Sequence, residues 1–155
     1  MRPQDFLDML VPAAQACQRA TGIPASFTLA QAALESSWGA RAPGCNLFGI
    51  KADKSWKGAV VSVVTKEEFT KGVKTVITAN FRCYRNWDES LADRAEYLRI
   101  MPRYKDCFKE TTGHGWARAV AKAGYATDSK YAETLIAVMD GRNMSRFDKL
   151  PSEVK

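Results

Sequence analysis

Ala30-Gln31-Ala32-Ala33-Leu34-Glu35-Ser36-Ser37-Trp38-Gly39 reads as the end of a helix that stops on a glutamate, an aromatic residue and a glycine. Glycine reaches left-handed backbone angles at little cost, so Gly39 is a natural C-terminal cap. Glu35 then falls in the last turn, where the negative end of the helix dipole disfavours a charged carboxylate. Trp38, three residues on, brings its ring to the same face. Both effects push a carboxyl toward its neutral, proton-carrying form. Such a neutral carboxyl near physiological pH is what a general acid needs for glycosidic bond cleavage. The plain alternative is an exposed helix-end glutamate without a role, since most glutamates lie on the surface.

Working outward, Thr21-Gly22-Ile23-Pro24 is a turn, and Pro24 suits the first turn of the helix that runs to about Trp38. Upstream, residues 3–21 carry Phe6, Leu10, Ala13 and Cys17 on one helical stripe. Pro12 interrupts that stripe, which predicts a kink or two short helices. Downstream, residues 40–58 hold Pro43, Gly44, Gly49 and Gly58, the chemistry of a loop. The β-branched runs Val60–Thr65 and Val73–Phe81 flank Thr70-Lys71-Gly72 and predict a hairpin. Asn86 with Glu89 has the form of a capping box, opening a helix striped by Trp87, Leu91 and Leu98 and ended by Pro102. A further helix spans His114 to Ala123, stopped by Gly124. The last runs from about Ser129 to Asp140, capped by Thr127 or Asp128, with Tyr131, Leu135, Val138 and Met139 inward. The tail beyond Gly141 carries Arg142, Arg146, Lys149 and Lys155 and is expected to be partly mobile. The pattern is α+β: one mostly helical domain over residues 1–155, with its core at about 3–141, one inserted β-hairpin and a short basic tail.

Composition narrows the function. The chain has 155 residues, 46% hydrophobic and 26% charged, an ordinary globular balance that supports one sizeable core. No apolar run reaches membrane-spanning length, so stable membrane insertion is not expected. Asp5 and Asp8 interrupt any signal-peptide core in the first residues, so the expected route is synthesis in the cytoplasm with export by other means. The net charge of +6 and a pI near 9.2 favour an anionic polymer or surface. Nucleic acid is not the expected partner, because the lysines and arginines are scattered and form no basic block interleaved with aromatics. Cys17, Cys45, Cys83 and Cys107 are widely spaced, and one histidine accompanies them. That argues against zinc and for free thiols, and no metal or cofactor is implied. His114, between two glycines, lacks the local serine or cysteine signature of a nucleophilic hydrolase.

The 30–39 stretch, followed by Asn46-Leu47-Phe48-Gly49-Ile50-Lys51 and later by Gly124-Tyr125-Ala126-Thr127-Asp128 with Tyr131-Ala132, resembles glycoside hydrolase family 73. These are peptidoglycan-cleaving endo-β-N-acetylglucosaminidases, and the likeness covers roughly residues 5–140, a domain's length. The resemblance implies a lysozyme-like helical lobe and a small β-lobe with the substrate groove between them. It implies that Glu35 protonates the leaving oxygen. For a second carboxylate, strand alternation sets Glu67 and Glu68 on opposite faces and does not choose between them. The family's threonine-x-glutamate-aromatic pattern before a glycine turn lands on Glu68 with Phe69. Its implied role is to position or deprotonate the attacking water. Tyr125 is implied to line the groove, orienting a nucleophile or stabilising charge on the sugar. Trp38, Phe48, Tyr104 and Tyr131 are the candidates for stacking on sugar faces, Trp38 and Phe48 foremost, and Asn46 is expected to bond an acetamido group or hold its loop.

Two mechanisms stay open at this point: a water-activating second carboxylate with inversion, or attack by the substrate's own 2-acetamido group. The expected partner is the peptidoglycan glycan strand, met by a monomer. Rival readings are an N-acetylmuramidase, a lytic transglycosylase, or a catalytically silent wall-binding adaptor. A phage endolysin, an injected toxin and a flagellar-type hydrolase domain would share this sequence pattern.

Overall fold

The computed structural model describes residues 1–150. Its first helix, α1, runs unbroken over Pro3–Thr21 and buries Phe6, Leu7, Leu10 and Ala14. The expected break at Pro12 does not occur. Pro12 and Asp8 are both exposed, so the carbonyl that loses its proline N–H partner can face water. Gly22 ends α1 in the left-handed region, with φ of 82°.

Helix α2, Ala25–Ser36, is buried on all sides from Ala25 to Ala33. That is the mark of a central core helix. Its alanines let α1 approach closely, along with two later helices and the carboxyl-terminal segment. The helix ends two residues before Trp38. Ser36 Oγ donates to the Ala32 carbonyl at 2.6 Å and accepts from Gly39 N at 2.9 Å. Ser37, Trp38 and Gly39 then all take positive φ, at 50°, 57° and 85°. Gly39 is needed twice over: a Cβ there would also lie 3.1 Å from the rings of Phe6 and Trp87.

A loop with a short 3-10 turn at Pro43–Cys45 leads to the hairpin. Strand β1, Val60–Thr70, pairs antiparallel with β2, Val73–Arg82. Both strands are longer than their β-branched runs suggest. Along β1, Val61, Val63, Thr65 and Glu67 are half-buried, while Val60, Val64 and Glu68 on the alternate face are exposed. Arg82 ties the hairpin base to the helical lobe. It pairs with Asp93 at 3.0 Å, donates from Nε to the Lys51 carbonyl at 3.2 Å and lies 4.8 Å over the Trp56 ring.

Helix α3, Trp87–Ile100, is capped by Asn86, whose Oδ1 accepts from Glu89 N at 2.9 Å. The Glu89 carboxylate accepts from Arg85 N, one residue before the expected partner of a capping box. A 3-10 segment, Pro102–Lys109, leads to α4, Gly113–Lys122, and then to α5, Tyr131–Gly141. Helix α5 starts later than expected because Asp128 accepts from Lys130 N in a preceding turn instead of capping the helix.

The stretch after Gly141 was expected to be partly mobile, but through residue 148 it is docked. Met144 is fully buried in a 3-10 turn, Met144–Asp148. Asp148 accepts from both the N–H and the hydroxyl of Ser26, at 2.7 and 2.6 Å, and so caps the positive end of α2. Lys155 lies outside the described residues. Among the described residues no helix is long and apolar enough to cross a membrane, and the four cysteines are free.

Candidate active site

The C-terminal end of α2 opens between the helical lobe and the hairpin. Glu35 stands there at the junction of two clefts. One, of about 330 Å³, is lined by Glu35, Phe48, Gly49, Lys51, Asp53, Tyr97, Tyr104 and Tyr125, among others. The other, of about 260 Å³, runs along the hairpin past Glu35, Arg41, Asn46, Val63, Thr65 and Phe81. Glu35 and Gly49 belong to both, so the clefts form one groove with the carboxyl at its middle.

The Glu35 side chain is accessible from the groove, yet the surrounding protein displaces enough water to raise its pKa. The Tyr131 hydroxyl opposes that shift by donating to Glu35 Oε1 at 2.8 Å. Tyr131 in turn accepts from Gln31 Nε2 at 3.1 Å. Gln31 sits one helical turn before Glu35, on the same face of α2. Burial and the Glu35 charge together push the Tyr131 phenol far above the ordinary tyrosine range, so it remains a donor. Tyr125 stacks on Tyr131, with ring centroids 5.9 Å apart and planes 10° apart. Its own pKa is also driven far upward, mainly by burial, so it meets the groove as a neutral hydroxyl.

Some expected site residues converge here and others do not. Phe48 lines the first cleft together with Glu35 and Tyr125. Tyr131 is placed behind the groove wall: it lines neither cleft, and its hydroxyl is spent on Glu35. Trp38 lines neither cleft. The left-handed run after Ser36 swings it off the helix, where it packs edge-on to Phe6 at 5.8 Å and under Arg142 at 5.6 Å. The pKa rise at Glu35 comes from burial, and the Trp38 ring does not line the cleft that the carboxyl faces.

Asn46 borders the second cleft, but its amide is fully engaged. Nδ2 donates to the carbonyls of Ile50 and Arg82, each at 2.9 Å, and Oδ1 accepts from the N–H groups of Phe48 and Ile50. It holds the loop and has no free group for an acetamide. Glu68 is likewise off the groove face. It is exposed at the hairpin tip and accepts from Gly72 N at 2.9 Å. Glu67 shares the face of Val63 and Thr65, which line the second cleft, and pairs with Lys51 at 2.8 Å.

Sequence reasoning did not single out Gln31, Lys51, Asp53 or Tyr97. Gln31 carries a readable signal in its four-residue spacing from Glu35. Asp53 enters the groove as an ionised carboxylate, held below the usual range chiefly by the Ser55 hydroxyl and N–H. Nothing in its local sequence marks it. His114 bonds to Asp140 at 2.8 Å and lines neither cleft.

A helical lobe around a buried central helix, a hairpin lobe, and a carboxyl of raised pKa in the groove between them define the lysozyme-like class of glycoside hydrolase. The chain belongs to the glucosaminidase family, described as mannosyl-glycoprotein endo-β-N-acetylglucosaminidase, whose model matches residues 11–144. It is 38% identical over 143 residues to peptidoglycan hydrolase FlgJ of Vibrio parahaemolyticus, covering 88% of this chain and 46% of that protein. The chain thus spans about half the length of the curated relatives it matches. Among solved structures it is similar to a mutant peptidoglycan hydrolase from Sphingomonas sp. A1, with a TM-score of 0.81 and 37% identity, covering 93% of this chain and 97% of that one. It is also similar to a C-terminally truncated glycoside hydrolase domain of FlgJ from Salmonella typhimurium. There the TM-score is 0.78 and the identity 37%, covering 92% and 99% of the two chains.

Proposed function

We propose that this chain hydrolyses the glycan strands of peptidoglycan at the β-1,4 bond after N-acetylglucosamine. The observation that carries this reading is the Glu35 carboxyl: raised in pKa, aimed by Tyr131 and open to the centre of a groove. Glu35 gives its proton to the glycosidic oxygen as that bond breaks. Water adds to the anomeric carbon and loses a proton to a second carboxylate. We assign that carboxylate to Glu67, because its strand face is the one that borders the groove. Inversion of the anomeric centre follows, since the attack comes from the side opposite the leaving group. Tyr125, neutral and facing the cleft, donates a hydrogen bond to the sugar and does not act as an anionic nucleophile. Phe48, with Tyr97 and Tyr104, supplies apolar surface for sugar rings. One copy of the chain provides all these groups, which supports a monomer working at the cell wall, where its substrate lies.

The test is mass spectrometry of borohydride-reduced fragments released from purified peptidoglycan. Reduced N-acetylglucosamine ends are expected. Reduced N-acetylmuramic acid ends would make the chain a muramidase, and anhydro ends a transglycosylase. No release from folded protein would favour a wall-binding adaptor. Glu35→Gln should lower kcat by about a thousandfold, and Glu67→Gln should cost far more activity than Glu68→Gln. The reverse order for the last two would return the second role to Glu68.

A further inference from the structure

Arg94, on α3, is fully buried. Its guanidinium lies 4.8 Å over the Phe48 ring and 5.4 Å over Phe27. Nη1 donates to Gln31 Oε1 at 3.3 Å, Nη2 donates to Thr28 Oγ1, and Nε has no partner. Among the described residues Arg94 makes no ion pair. A guanidinium does not shed its charge in a protein, and burying it without a carboxylate is costly. An apolar side chain of similar volume would fill the space without that penalty, so packing does not account for a cation here.

What the cation touches does account for it. Arg94 Nη1 donates to the Gln31 carbonyl oxygen, Gln31 Nε2 donates to the Tyr131 oxygen, and Tyr131 O–H donates to Glu35 Oε1. All three bonds point the same way, from a positive charge to the carboxyl. The guanidinium also fixes which end of the Gln31 amide faces it, since only the oxygen can accept. Polarisation along such a chain strengthens each donor in turn. The last donor, Tyr131, bonds more strongly to a carboxylate than to a carboxyl.

We propose that Arg94 is a positioning residue that sets the proton affinity of Glu35 through Gln31 and Tyr131. This rests on the reading of Glu35 as the proton donor. Desolvation by the groove raises the affinity of Glu35 for its proton, and the chain from Arg94 stabilises the carboxylate left when that proton is delivered. The two effects oppose each other at one carboxyl, one favouring uptake of the proton and the other its release. Other ionisable groups face this network. Tyr125 and Tyr131 lie near Arg94 from the α4–α5 side, and Cys17 from α1. Arg41, Lys51 and Asp53 border Glu35 from the loops. Those loop charges are solvent-exposed and screened, and Lys51 is already paired with Glu67. Arg94 is the cation that water does not screen.

The experiment compares wild type, Arg94→Met and Arg94→Lys. It reads the pH dependence of kcat on purified peptidoglycan and the carbon-13 titration of the Glu35 carboxyl. With Arg94→Met, the alkaline limb and the titration midpoint should both rise by about one pH unit. The value of kcat should fall about tenfold, with KM unchanged. Arg94→Lys, which keeps the charge, should leave both midpoints near wild type. A folded Arg94→Met protein with wild-type midpoints overturns the proposal. If Arg94→Met does not fold, Gln31→Met breaks the chain while leaving the cation. The same upward shift then supports the proposal, and an unmoved midpoint overturns it. Full activity in Glu35→Gln would sink the acid assignment alone, because the Glu35 titration in Arg94→Met reads the coupling without using activity.

Discussion

Replacing Asn46 by alanine should damage stability much more than substrate affinity. The side chain is 4% exposed and makes four hydrogen bonds, all to backbone groups. Two of them reach the carbonyls of Ile50 and Arg82, joining the loop to the base of β2. At about 1 kcal/mol net per bond the loss totals about 4 kcal/mol. The bond from Phe48 N is long, at 3.3 Å, and water entering the vacated space recovers part of the loss, leaving about 3 kcal/mol. For a chain of this size each kcal/mol is worth about 3 °C, so the melting temperature should fall by about 9 °C. Asn46→Asp should be at least as harmful, because a carboxylate would face two carbonyl oxygens. Thermal unfolding followed by circular dichroism measures the drop, and steady-state kinetics below the transition measures KM. A fall of less than about 3 °C together with a tenfold rise in KM would refute the reasoning. That pair of results would mean the amide serves the sugar and the loop holds itself.

Three further outcomes follow from the same geometry. Tyr131→Phe removes the donor that lowers the Glu35 pKa, so the alkaline limb of the rate profile should move up by about one pH unit, which a pH–rate series would show. A downward shift would contradict the assigned sign. Glu35→Gln should raise the melting temperature at neutral pH. A carboxyl whose folded pKa exceeds its unfolded one contributes stability below the unfolded pKa and loses it as pH rises through the folded pKa. The gain should therefore vanish below the ordinary glutamate value of 4.5, and a gain that persisted there would have another cause. Asp148→Ala uncaps α2 and should cost about 1–2 kcal/mol in urea unfolding, with no change in m-value.

Much of this fold is written in local signals. The end of α2 is marked by serines and a glycine, and the hairpin by β-branched residues about a glycine turn. Glu35 is found from its place at that helix end. What stays hidden depends on distant partners. In β1 valines occupy both faces, Val61 and Val63 on one and Val60 and Val64 on the other, so alternation separates Glu67 from Glu68 without saying which side meets the groove. Only the cleft tells the faces apart, because Val63 and Thr65 line it. Trp38 is misread because three left-handed residues rotate it away, and of these only Gly39 announces such a backbone. A tyrosine's hydroxyl partner is set by the whole fold, so Tyr131 looks like a sugar platform until Glu35 is seen beneath it. The basic tail reads as solvated because its charges outnumber its anchors, Met144 and Asp148.

Those anchors bear on where this unit can be cut and rejoined. The family match stops at residue 144, yet the carboxylate that holds the far end of the helix bearing Glu35 is at 148. A module ended at residue 144 would keep every residue of the groove and lose the clamp on the opposite end of its central rod. Such a piece should bind its polymer and still wear out sooner under heat or protease. A fusion junction or a swapped catalytic unit should therefore keep Asp148 with the helix it caps.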